Sequence, residues 1–75
     1  MDKIELVKRD IMNILFQTYG DTVGNAFFNN RGKEILPIFV QDSYGMLKQN
    51  MGKYKAAEQL DTVLSKYGVS VSSYE

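Results

Sequence analysis

The sequence predicts an all-α fold, a small bundle of three longer helices and one short helix, for three reasons. Apolar residues recur every three or four positions through most of the chain, which is the spacing of one helical face. Glycines separate these periodic segments at intervals that fit helices joined by short connections. A length of 75 residues fits a single domain, which we place at residues 1–75. We expect the helices at residues 2–19, 22–30, 36–50 and 53–67.

The first two helices are delimited by acidic residues and a glycine. Helix 1 should begin at Asp2, whose negative charge suits a helix N-terminus. It should end before Gly20, because glycine adopts the positive φ of a helix C-terminus without a steric penalty. Asp21 can then cap the short second helix over residues 22–30. The polar segment 29–32 is typical of a turn and should end that helix.

The beginning of helix 3 is open to three interpretations. Pro37 has no backbone N–H to donate and is favoured in a first turn, so we place the helix at residues 36–50. A helix that begins at Lys33 and kinks at Pro37 is one alternative. A short strand is the other, because Ile35–Val40 is a compact apolar run. Gly52 closes the segment in each case.

Helix 4 is the most regular amphipathic segment of the chain. Its apolar residues share one arc of about 120°, and polar residues fill the rest of its surface. Those apolar residues are Ala56, Ala57, Leu60, Val63, Leu64 and Tyr67. We expect this helix at residues 53–67, ended by Gly68. The C-terminal tail that begins at Val69 is expected to be extended, either frayed or as a single strand.

The composition argues against an enzyme. Cysteine and histidine are both absent, so a Ser–His–Asp triad, a Cys–His pair and the usual zinc ligand sets have no residues to build them. Carboxylates that are close in sequence fall on polar helical faces, where solvated surface charge is the simpler interpretation. We therefore predict a non-enzymatic protein with no metal and no cofactor.

Charge and hydropathy bear on the compartment and on the partners. Nine basic and nine acidic residues balance, so no attraction of the whole domain to nucleic acid or anionic lipid is expected. The longest apolar run has six residues, Ile35–Val40, which is far too short to span a membrane. The charged N-terminus lacks the apolar stretch of a signal peptide. We predict a cytoplasmic protein that does not bind membranes.

Helix 1 is more apolar than an ordinary surface helix. Its apolar residues span roughly 200° of the helical surface. Such a helix is either central in the fold or covered by another chain, and a domain this small has little material with which to surround one helix. The alternative is that short helix 2 covers the same side through Phe27 and Phe28.

We predict that one side of helix 1 meets a partner. A chain of this length buries a modest core, and without cysteine it has no disulfide to supplement that core, so self-association is favoured. The prediction is a protein–protein interaction or regulatory module that binds a second copy of itself, as a homodimer, or another protein. Aromatic side chains commonly anchor such interfaces. The residues predicted to meet the partner are Met12, Phe16, Tyr19, Phe27 and Phe28.

Nucleic-acid binding at the corner between helices 3 and 4 is the alternative function. Between Asp42 and Glu58 there are three lysines and no acidic residue, so positive charge is concentrated there. Lysines beside an aromatic ring can hold phosphates and stack on a base. The residues of this alternative are Lys48, Lys53, Tyr54 and Lys55. Helix 4 continues with Glu58 and Asp61, and it lacks arginine, the common base reader, so we rank this function second.

Overall fold

The computed structural model describes residues 2–71 and 74, and it shows four helices around one hydrophobic core. The helices are α1 (Lys3–Tyr19), α2 (Asp21–Arg31), α3 (Leu36–Met51) and α4 (Lys53–Lys66). The prediction of an all-α fold with four helices is confirmed, and the described residues contain no strand. None of these helices combines the length and the apolar character that a bilayer-spanning helix needs.

Single glycines join α1 to α2 and α3 to α4. Gly20 has φ 87° and Gly52 has φ 84°, positive values that glycine adopts at low cost because it has no Cβ atom. Their N–H groups donate to the last turns of the preceding helices, at 2.8 Å to Phe16 O and 3.0 Å to Lys48 O. Their carbonyl groups accept from the first turns of the following helices. The expected cap by Asp21 is wrong, because Gly20 occupies the N-cap position and Asp21 is the first residue of α2.

α3 begins at Leu36, so the alternatives of a strand and of an earlier, kinked helix are both wrong. Residues 32–35 form the turn that precedes it. The Ile35 carbonyl accepts the N–H of Phe39 at 3.0 Å, which is the first hydrogen bond of the helix. Pro37 lies in the first turn, where its missing N–H costs no hydrogen bond.

α1 is the central helix of the fold and packs against α2, α3 and α4. Val7, Ile11 and Leu15 of α1 are fully buried. The core residues of the other helices are Phe27, Leu36, Phe39, Val40, Tyr44, Leu47, Ala56, Leu60, Val63 and Leu64. Much of the wide apolar arc of α1 is therefore enclosed by the chain itself, because all three other helices pack against it.

A polar contact fastens the end of α4 to the middle of α1. The Asp10 carboxylate accepts the Tyr67 hydroxyl at 2.8 Å and the Lys66 ammonium at 3.1 Å, both at Oδ2. These groups favour the charged carboxylate, and the hydrogen bond from Tyr67 is the main cause that lowers the pKa of Asp10 from its ordinary value. The contact therefore depends on the ionised form of Asp10.

The tail folds back onto the core. Gly68 has φ 66°, and the N–H of Val69 donates to Leu64 O at 2.9 Å, which closes the end of α4 in a Schellman motif. Further along, the Tyr74 ring stacks on the Tyr44 ring with centroids 5.2 Å apart. The described part of the tail is therefore packed and not frayed. Positions 72, 73 and 75 of the predicted extended tail lie outside the described residues.

Candidate protein-binding surface

α2 packs closely across α1 at the point where Gly24 meets Phe16. A Cβ atom built on Gly24 would lie 2.3 Å from Cδ1 of the Phe16 ring, far inside van der Waals contact. A residue without a side chain is therefore required for the two helices to approach this closely. Phe27 is buried further along α2, and its ring meets the Phe39 ring edge-on with centroids 5.4 Å apart. At the Gly24–Phe16 contact α2 therefore covers α1, while Phe27 packs against α3.

The five residues predicted to meet a partner have different environments. Met12 is 4% exposed and Phe27 is 8% exposed, so both are core residues, which corrects the expectation that they lie open to a partner. Tyr19 is half-buried, and its hydroxyl donates to a backbone carbonyl of α3, so its polar atom is already used within the chain. Phe16 is half-buried against α2. Phe28 alone of the five is largely open, with 47% of its surface exposed.

An open groove of about 510 Å³ lies between α1 and α2 beside these contacts. We call it the α1–α2 groove. Its apolar lining consists of Ile4, Met12, Phe16 and Phe28. Ile4 is 41% exposed, and sequence reasoning did not select it as a site residue. The sequence does contain a pattern that indicates Ile4. Ile4, Met12 and Phe16 are separated by eight and four residues, a spacing that keeps side chains on one side of a helix.

Four charged side chains of α1 and its N-cap also line the α1–α2 groove, those of Asp2, Glu5, Lys8 and Arg9. The Asp2 carboxylate caps α1 by accepting the N–H of Glu5 at 2.9 Å. The Lys8 ammonium donates to two backbone carbonyls in the turn between α2 and α3, one of them Gly32 O at 3.0 Å. Within residues 2–71 and 74, the Glu5 carboxylate and the Arg9 guanidinium form no ion pair. Among the described residues both side chains are therefore without an ion pair, although the positive charge of Arg9 helps to lower the pKa of the neighbouring Asp10.

A separate charged cluster joins the end of α2 to α3. Arg31 Nη1 lies 3.6 Å from the Glu34 carboxylate and 3.5 Å from the Asp42 carboxylate. The Asp42 carboxyl beside it, together with burial, raises the pKa of Glu34, while the Arg31 guanidinium acts in the opposite direction. Among the described residues, no group of three or more carboxylates is arranged to hold a metal ion. The ion pair between Arg31 and Asp42 therefore connects the C-terminal end of α2 to α3.

The basic corner predicted for nucleic acid is exposed but does not form one face. Tyr54 is 81% exposed, and the Lys53 ammonium lies 5.2 Å from the centroid of its ring. Consecutive helical residues point about 100° apart, so Lys53, Tyr54 and Lys55 face different directions. The Lys48 ammonium lies 5.6 Å from the centroid of the Tyr44 ring on α3.

The surface of α4 beside Tyr54 is acidic. Glu58 and Asp61 line a shallow depression there together with Tyr54. A strand of nucleic acid that stacked on this ring would therefore bring its phosphates close to two carboxylates, and like charges repel. The corner between α3 and α4 is therefore less favourable for binding a nucleic acid than its three lysines alone would predict.

Comparison with known proteins gives no match. No protein-family model matches the chain, and neither a curated protein nor a solved structure is significantly similar to it.

Proposed function

We propose that this protein is a non-enzymatic, cytoplasmic protein–protein interaction or regulatory module that forms a homodimer through the α1–α2 groove. The observation that carries the proposal is the exposure of Ile4 (41%) and Phe28 (47%) beside an open groove with an apolar lining. Single exposed apolar residues are ordinary, whereas two beside one apolar groove are typical of a binding surface.

The size of the chain supports self-association. The core of a domain this small supplies about 3–5 kcal/mol of net stability, and this chain has no cysteine with which to add a disulfide. Burial of a second copy against the groove would remove further apolar surface from water, at about 25 cal/mol per Å². Because only the folded chain presents the groove, dimer formation also stabilises the folded state relative to the unfolded state.

Phe28 is the residue on which we expect the interface to depend most. Aromatic side chains that enter a partner's groove commonly contribute a large share of the binding energy. Phe28 is more exposed than Phe16, which already packs against Gly24. Phe28 can therefore contact a partner without any change in the core, whereas Phe16 lines the groove while it packs against α2.

The test is the mass of the protein in solution, measured by size-exclusion chromatography with light scattering up to about 1 mM chain, where even a weak dimer is populated. The wild type should have twice the mass of one chain, and Phe28→Ser should shift it towards the monomer with its helicity kept. Val23→Ser is the matched control, because Val23 is also on α2, is 41% exposed and does not line the groove. A monomeric wild type throughout this range would refute the proposal.

Nucleic-acid binding is the second candidate, and the exposure of Tyr54 (81%) beside Lys53 is the observation that favours it. Titration of a labelled single-stranded oligonucleotide at low salt tests it, with Tyr54→Ala as the variant. Binding that weakens as salt is added and that is lost in Tyr54→Ala would establish this function. Absence of binding at low salt would eliminate it.

A further inference from the structure

The two unpaired charges of the α1–α2 groove are separated by one helical turn. Glu5 and Arg9 are four residues apart on α1, which corresponds to about 6 Å along the helix axis. Residues at this spacing can pair with each other, yet these two form no ion pair within the described part of the chain. The neighbouring charges are already used, Asp2 as the helix cap and Lys8 as the anchor of a turn.

A surface with one acidic and one basic group is complementary to a copy of itself. In a twofold-symmetric contact, each residue that meets a second residue is met by it in return. An antiparallel pair of α1 helices would place Glu5 of each copy opposite Arg9 of the other, and so form two ion pairs. A parallel pair would place each charge opposite its own kind, which is unfavourable.

The apolar residues of the groove fit the same direction. Ile4 lies on the N-terminal side of the two charges, while Met12 and Phe16 lie on the C-terminal side. An antiparallel contact centred between Glu5 and Arg9 places Ile4 of one copy level with residue 10 of the other, about 3 Å along the helix axis from Met12, which lies at the buried side of the groove. The exposed aliphatic side chain of each copy then approaches the apolar lining of its partner.

We infer that the second copy binds antiparallel along α1, with Glu5 of each chain paired to Arg9 of the other and Ile4 directed into the partner's α1–α2 groove. The inference rests on the self-association proposed above and adds its orientation and its charge pairing. The Glu5–Arg9 pairs set the register, because an exposed ion pair contributes more to orientation than to affinity.

Charge reversal tests the arrangement. Glu5→Arg alone places two like-charged pairs in the dimer, and so does Arg9→Glu alone. Each variant should self-associate about tenfold more weakly than the wild type. An equimolar mixture of the two should form a heterodimer, because one chain then carries both basic groups and the other both acidic groups. The double variant Glu5→Arg/Arg9→Glu should also regain self-association.

The mass of each sample and of the mixture is measured by light scattering, and helicity by circular dichroism. Glu58→Arg is the control charge reversal, since Glu58 is exposed on α4 and does not line the groove. Its self-association should equal that of the wild type. Association of the wild type itself should weaken between about 0.05 M and about 1 M salt, a measurement that needs no variant.

Recovery of association in the mixture supports the arrangement, because two misfolded variants would not restore each other. A wild-type dimer that is unaffected by both reversals and by salt would overturn this inference and leave the homodimer proposal intact. A wild-type monomer would overturn both. Binding of a heterologous helix in the groove of a monomeric wild type would likewise replace the second copy as the occupant.

Discussion

Gly24→Ala tests the close approach of α2 to α1. The added Cβ atom would meet Cδ1 and Cε1 of the Phe16 ring at 2.3 and 2.5 Å, so the ring or the helix has to move. Overpacking of this kind costs about 1–3 kcal/mol, whereas replacing glycine by alanine inside a helix gains about 1 kcal/mol. We expect the free energy of unfolding to fall by about 1 kcal/mol and the Tm by about 4–8 °C.

Gly45→Ala is the matched control for this substitution. Gly45 lies inside α3, and a Cβ atom built on it has no neighbour within 4 Å. The free energy of unfolding should therefore rise by about 0.5–1 kcal/mol. Urea unfolding followed by circular dichroism gives both values at one protein concentration, and their difference isolates the cost of the overlap with Phe16. If Gly24→Ala stabilises the protein as much as Gly45→Ala does, the description of the α1–α2 contact is refuted.

Two further predictions concern the acid stability and the core. Because the pKa of Asp10 is lowered in the fold, chiefly by Tyr67, its ionised form stabilises the protein above the ordinary value of 3.8. That contribution is lost as the pH falls through the lowered value, so Asp10→Asn should flatten the decline of Tm in acid; an unchanged decline would contradict this. Leu47 is fully buried, and Leu47→Ala should cost about 2–5 kcal/mol, close to the whole stability of such a domain. Its circular dichroism spectrum should be that of a largely unfolded chain, and a native spectrum would count against the prediction.

The helices were predictable because their signals are local. Gly20, Gly52, the N-terminal Asp2 and the first-turn Pro37 each act on their own neighbourhood, and each lies where the structure ends or begins a helix. The cap of α2 was mispredicted for the same reason. Aspartate is a good N-cap residue in general, but here Gly20 is both the C-cap of α1 and the N-cap of α2, so Asp21 is already helical.

The surroundings of α1 were not predictable from its own sequence. A wide apolar arc shows how much of a helix avoids water, but it does not show how many neighbours enclose it. Met12 is buried in the core, and Gly24 lets α2 approach Phe16 closely enough to half-bury it, although α2 is short. That approach is possible because Gly24 has no side chain, and the spacing of apolar residues does not predict such a contact.

The candidate site was predictable only in part. Phe28 was selected as an aromatic near helix 1 and is exposed at the groove, whereas Ile4 was overlooked. The charges that remain unpaired depend on contacts between distant parts of the chain. Lys8, for example, donates to Gly32 O, 24 residues further along, and no local pattern reports this.

The single-glycine joints also bear on how quickly the chain folds. α1 with α2, and α3 with α4, are each connected through one residue, so neither pair has to close a long loop, and the entropy lost on pairing is small. Only the meeting of these two halves brings together residues that are far apart in sequence. Helical proteins dominated by such local contacts fold within microseconds to milliseconds, and we expect the docking of the halves to be the slowest step here.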